Sequence, residues 1–139
     1  MHVQNILKVK GTAVATIGPD DSLADATAAL RDHGVGALVV SRDGRTIDGI
    51  VSERDVVRAL AAHGGSTLGR NVASAMSTTV TTCHGHDTVD HMMGMMTERR
   101  IRHLPVVDDD GKLAGIISIG DVVKARVGQL EIENDQLHD

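Results

Sequence analysis

Phenylalanine, tyrosine and tryptophan are all absent from this chain of 139 residues. That removes the aromatic platform on which single-stranded nucleic acid stacks. A base bound here has to lie between aliphatic side chains, methionine and backbone. The single cysteine, Cys83, excludes an internal disulfide framework and fits a reducing, cytoplasmic setting. No apolar run approaches the ~20 residues of a membrane-spanning helix, and the opening MHVQNILKVKG lacks the apolar stretch of a secretory signal. Positive charge is also in short supply. A net charge of −5 disfavours nucleic-acid backbone as a partner, because its usual footprint is a basic face. Part of the acidic excess sits in Asp108-Asp109-Asp110 and in the tail from Glu131, so a local basic site remains open. Neither a nucleophile–base–acid arrangement nor a Walker-type phosphate loop or HExxH zinc motif is present. The expectation is a globular chain that is not an enzyme and requires no cofactor.

What the chain does have is a repeat. GIVSERD at Gly49–Asp55 returns as GIISIGD at Gly115–Asp121, and both run on into Val-Val. A constant offset of 66 residues pairs Asn5 with Asn71, Thr12 with Thr78, Asp21 with Asp87, Leu38 with Leu104, Ser52 with Ser118 and Asp55 with Asp121. Each copy reads as a strand (Ala13–Ile17, Thr79–Cys83), then a helix opening at Asp21-Ser22 or Asp87-Thr88, good N-cap chemistry. A hairpin follows (Ala37–Val40 with Ile47–Val51; Leu104–Val107 with Leu113–Ile117). The Ser-x-x-Asp element then starts a closing helix, Arg54–Ala62 or Asp121–Leu130. The expected fold class is α/β (α+β): two tandem β-α-β-β-α repeats at residues 3–65 and 66–128, and a helical tail at 129–139.

Taken alone, Ser-x-x-Asp at a strand-to-helix turn is capping chemistry. The sharper alternative makes the carboxylate a bidentate acceptor for two ribose hydroxyls, with the serine and helix start serving phosphate. The repeat unit, with the strand entries HGVGALVV and RRIRHLPVV, resembles the CBS domain, the module named after cystathionine beta-synthase, which works in tandem pairs. The resemblance covers residues 3 to 128 and favours the second alternative, because this aspartate is the family's ribose contact. It implies clefts that combine both repeats and hold adenine nucleotides, AMP, ADP, ATP or NAD(H). One cleft would join Thr12, Ala15, Val35, Gly36 and Ala37 to Ser118 and Asp121. The other would join Thr78, Thr81, Ile101, Arg102 and His103 to Ser52 and Asp55. It also implies a disc-like homodimer that reports ligand state to a regulated partner protein.

The two clefts differ in charge. Arg99-Arg100-Ile101-Arg102-His103 stands where the first copy has His33-Gly34-Val35-Gly36-Ala37, and arginine forks suit phosphate. Arg102 and His103, with Arg54 and Arg100 behind them, are the expected phosphate contacts. The Asp121 cleft is expected to be neutral and to take a nucleoside moiety or nothing. Three features carry less. Cys83-His84-Gly85-His86 and His91 have metal-like spacing, but Cys83 falls at a strand position and structural zinc needs four ligands. Met92 and Met96 copy the core positions Ala26 and Leu30, which leaves Met93 or Met95 for a subunit contact. Val123, Val127, Leu130, Asn134 and Leu137 form a heptad seam, which either finishes the second core or packs on a symmetry mate. The rival function is a ligand-free scaffold whose serines and aspartates only cap helices.

Overall fold

The computed structural model describes residues 1–138. Its elements run α1 (Val3–Lys10), β1 (Thr16–Ile17), α2 (Leu23–His33), β2 (Ala37–Val40), β3 (Gly49–Ser52), α3 (Glu53–His63), β4 (Cys83–His84), α4 (Val89–Arg99), β5 (His103–Val107), β6 (Leu113–Ser118) and α5 (Ile119–His138). Two stretches of 3-10 helix, Gly64–Gly69 and Val72–Ser74, lie between α3 and β4. The expected α/β class and both β-α-β-β-α copies are present. Asp139, the last residue of the expected tail, lies outside the described residues.

The contacts divide the chain into two compact units, and the divisions are not those of the sequence repeat. One unit is contiguous, Val14–Val80; the other is split, joining residues 1–13 to the chain from Thr81 onward. Residues 3–13 therefore pack with the second repeat, and residues 66–80 with the first.

In the contiguous unit, β1 pairs parallel with β2, and β2 antiparallel with β3 (Thr16↔Val39, Val39↔Ile50). Every residue of β2 (Ala-Leu-Val-Val) is buried, which is the run expected of a strand covered on both faces. The core gathers Ile17, Leu23, Ala26, Leu30, Leu38, Val40, Val51, Val56 and Val72. Ser22 caps α2 by accepting from Asp25 N–H at 3.0 Å, and Gly34 closes it in the left-handed region at φ 63°. The 3-10 turn at Val72–Ser74 is sewn on by Val72 N–H to Asp21 O (2.8 Å) and Ala73 N–H to Pro19 O (2.9 Å).

The split unit repeats this plan, with order β4-β5-β6. Its core contains Cys83, Val89, Met92, Met96, Leu104, Val106, Ile117 and Val122, together with Val3, Ile6 and Leu7 from α1. Positions 3, 6, 7 and 10 form one stripe of α1. The first N–H groups of that helix have no partners within it. They are satisfied across the unit, Val3 N–H by Asp87 O and Gln4 N–H by Gly85 O, both at 2.9 Å.

Four expectations are changed or refined. The expected strands Ala13–Ile17 and Thr79–Cys83 shrink to the two-residue ladders Thr16–Ile17 and Cys83–His84, and the unit boundaries fall at Ala13–Val14 and Val80–Thr81. The gapless offset of 66 fails upstream of the first strands. Val3 N–H meets Asp87 O as Val72 N–H meets Asp21 O, so Val3 corresponds to Val72, and Asn5 and Asn71 are not equivalent. Met93 and Met95 are half-buried and pack against the unit's own core. Val123, Val127 and Leu130 do not finish that core, being 46%, 48% and 46% exposed.

Candidate functional site

Each unit presents its Ser-x-x-Asp turn where the last strand becomes the closing helix. Ser52 N–H donates to Asp55 Oδ2 at 2.9 Å and Ser52 Oγ donates to the same oxygen at 3.0 Å, while Asp55 N–H returns to Ser52 Oγ at 3.3 Å. Ser118 and Asp121 repeat the exchange: Ser118 N–H to Oδ2 at 2.9 Å, Asp121 N–H to Ser118 Oγ at 3.1 Å. These are reciprocal caps. They also fix the carboxylates, one oxygen of each being held by its own serine backbone.

The strand entries lie beside these turns. Ala37 pairs with Ser52 across the sheet and Glu53 N–H donates to Gly36 O at 3.0 Å. In the split unit His103 pairs with Ser118, and Ile119 N–H donates to Arg102 O at 2.8 Å. Thus Gly36 and Ala37 neighbour Ser52 and Asp55, and Arg102 and His103 neighbour Ser118 and Asp121. Of the other expected site residues, Ala15, Val35, Arg54 and Thr78 belong to the contiguous unit, and Thr12, Thr81, Arg100 and Ile101 to the split one. Thr12 thus shares a unit with Ser118 and Asp121, as Thr78 does with Ser52 and Asp55.

Arg54, Arg100 and Arg102 are exposed. Arg100 holds φ 55° at the C-cap of α4, where the first copy uses Gly34. Left-handed backbone costs a residue with a Cβ about 1–2 kcal/mol, so the arginine sits where glycine is the easier choice. Cys83 is buried. Burial, helped by the negative charge of Asp87, pushes its thiol up to about 12, which makes it a poor nucleophile and a poor metal ligand. His84 and His86 stack on each other at 5.2 Å between ring centroids. Among the described residues no three His, Cys, Asp or Glu side chains are grouped to hold a metal.

The turns are not alike in their side-chain partners. Lys10, the last residue of α1, donates from Nζ to Asp121 Oδ2 at 2.6 Å and to Ile116 O at 3.0 Å. Burial tends to raise the Asp121 carboxyl, but the Lys10 ammonium and the Ser118 N–H outweigh it and hold the group below the usual carboxylate range. The Asp121 turn therefore carries a cation of its own. The contiguous unit solves the same position differently: Ile50 O, the counterpart of Ile116 O, accepts from Ser77 N–H at 2.9 Å in a two-way backbone bridge. Sequence reasoning missed Lys10 because α1 was not expected and the offset of 66 pairs it with Met76. The signal was available in the spacing of Val3, Ile6, Leu7 and Lys10, an apolar stripe that ends in an ammonium.

The CBS domain family matches residues 8–62 and again residues 72–128. The chain belongs to the CBS-domain family. As a tandem CBS pair it is similar in structure to the CBS-domain containing protein ATU1752 from Agrobacterium tumefaciens. Identity is 46%, the TM-score is 0.86, and the match covers 91% of this chain and 99% of that one. It is also similar to the CBS domain protein PAE2072 from Pyrobaculum aerophilum complexed with AMP (25% identity, TM-score 0.81, 96% and 99% covered). A third CBS pair, that of protein MJ0100 in complex with 5′-methylthioadenosine and S-adenosyl-L-methionine, matches at 26% identity and TM-score 0.81, over 93% and 98% of the two chains. CBS pairs of this kind are generally regulatory modules, and related pairs hold adenine-bearing ligands.

Proposed function

We propose that this CBS pair is an adenine-nucleotide sensor, binding AMP, ADP, ATP or NAD(H) at its two Ser-x-x-Asp turns and passing the ligand state to a partner protein in the cytoplasm. One observation carries the reading: both aspartates are anchored through Oδ2 by their own serine N–H, and we assign the other oxygen, Oδ1, to a ribose hydroxyl. AMP in one related pair and two adenosine derivatives in another support the ligand class. Arg102 and His103, with Arg54 and Arg100, are the phosphate contacts of this reading. Thr12, Ala15, Val35, Gly36, Ala37, Thr78, Thr81 and Ile101 are its remaining proposed contacts. Regulation follows from differential affinity: ligand stabilises the arrangement it binds better, and the partner reads that arrangement. Each unit exposes apolar positions, Val57 and Leu60 on α3 and Val123, Val127 and Leu130 on α5, and in this reading two copies associate through such positions. The chain itself performs no catalysis.

A second reading rests on the same turns. Serine and aspartate satisfy each other, so a scaffold that only caps its helices would show the same bonds. Melting separates the two. Ligand at 100 times its dissociation constant adds ~2.7 kcal/mol, on the order of 5–10 °C for a chain of this length. That shift is expected with AMP or NAD and not with ribose 5-phosphate. If no adenine nucleotide moves the melting temperature at millimolar concentration, the scaffold reading stands.

A further inference from the structure

Lys10 continues the stripe of α1 whose Val3, Ile6 and Leu7 are buried; its ammonium ends beside Asp121, and both side chains keep solvent access, 35% and 25% exposed. An ammonium has three N–H donors. Two go to Ile116 O and Asp121 Oδ2, which leaves one for a ligand. The Ile116 carbonyl also pins the head. In the contiguous unit the equivalent carbonyl is taken by Ser77 N–H, and Asp55 Oδ2 receives a serine hydroxyl in place of an ammonium.

From these contacts we propose that Lys10 is the specificity-determining residue of the Asp121 cleft and selects a nucleoside phosphate over a nucleoside. A bare Asp121 carboxylate would repel a phosphate brought near it. Paired with Lys10 the turn is neutral, Oδ1 still accepts a ribose hydroxyl, and the third N–H meets a phosphate oxygen with charge assistance. The Asp121 turn then accepts an anion through the α1 lysine. The inference rests on the adenine-nucleotide reading, and it places the discriminating group in a segment outside the Ser-x-x-Asp repeat.

Calorimetric titration with AMP and with adenosine tests it, in protein carrying Asp55→Ala so that the Asp121 cleft alone responds. Lys10→Gln, which keeps a donor for Ile116 O without the charge, is expected to weaken AMP about tenfold and to leave adenosine within about twofold. Lys10→Met is expected to do the same, and thermal melts of both variants establish that the fold is kept. Equal losses for the two ligands, or no loss for either, would overturn the role of Lys10 and leave the nucleotide reading intact. So would AMP binding that is present in the unmodified protein and lost with Asp55→Ala alone. An unmodified protein that binds neither ligand overturns both.

Discussion

The contiguous and split units share a plan but complete it with different material. In the contiguous unit, the segment after α3 closes the sheet edge with backbone, through the Ile50–Ser77 bridge. In the split unit a full helix takes that place, and beyond its first turn a helix has no free N–H to lend to a strand edge. The open carbonyl of Ile116 is met by a side chain, and the side chain that can do so is cationic. A change of secondary structure in a packing segment thus becomes a change of charge at a candidate binding turn. Similar sequence at the turns, Ser-x-x-Asp in both, does not mean similar electrostatics.

The sharpest way to break this comparison is to remove residues 1–10. Val3, Ile6 and Leu7 are buried, and each such side chain is worth about 1.5–3 kcal/mol, against a net stability on the order of 5–15 kcal/mol for a whole domain. The split unit is expected to open, with Cys83, the one cysteine of the chain, reacting with a thiol reagent at close to the unfolded rate. A protected Cys83 in the shortened protein would mean that α1 is an accessory.

Next come the paired glycines of the last strands. A Cβ on Gly49 would lie 2.7 Å from Ser77 O, a backbone atom of the bridge, whereas on Gly115 it would meet the terminal carbons of Leu7 at 2.9 and 3.1 Å. Gly49→Ala is expected to cost about 1–3 kcal/mol, and Gly115→Ala less, since a leucine end can shift and a bridged carbonyl cannot. Denaturant titration of both variants ranks them, and the reverse order would count against the backbone-versus-side-chain distinction.

The smallest effect concerns the helix ends. Arg100→Gly relieves a left-handed residue, a gain of up to about 1 kcal/mol after the greater freedom of glycine in the unfolded chain is counted. Gly34→Arg should lose a similar amount. If Arg100→Gly raises the melting temperature and also weakens AMP, the arginine is held there for its charge; a gain with unchanged affinity makes it a surface residue.

Much of this was legible in the sequence. The repeat, the hairpins, and the caps at Ser22, Thr88, Ser52 and Ser118 follow from periodicity and side-chain chemistry that act within a few residues. What stayed hidden depends on contacts distant in sequence. Nothing near Val3, Ile6 and Leu7 says that they pack on Cys83 and Met92, and nothing near Lys10 says that it ends on Asp121. The gapless match of Asn5 with Asn71 pointed the wrong way, because identity at one offset is not contact at that offset. The exposed face of α5 has the opposite cause: Val123, Val127 and Leu130 recur at heptad spacing, but periodicity does not say what covers them.

The division of the chain also orders its folding in time. The segment Val14–Val80 is interposed between the two parts of the split unit, so the contiguous unit is complete while the partners of α1 are still unmade. At roughly 5–20 residues per second, residues 1–13 wait for several seconds of synthesis before β6 exists to receive them. Closure of the split unit also carries the larger loop entropy. The expected sequence is therefore inner unit first and α1 last, with burial of Cys83 a late event in a pulsed thiol-labelling experiment. Early protection of Cys83 would reverse that order. An ammonium that reaches Asp121 only at that last step makes the Lys10–Asp121 pair a mark of completed folding.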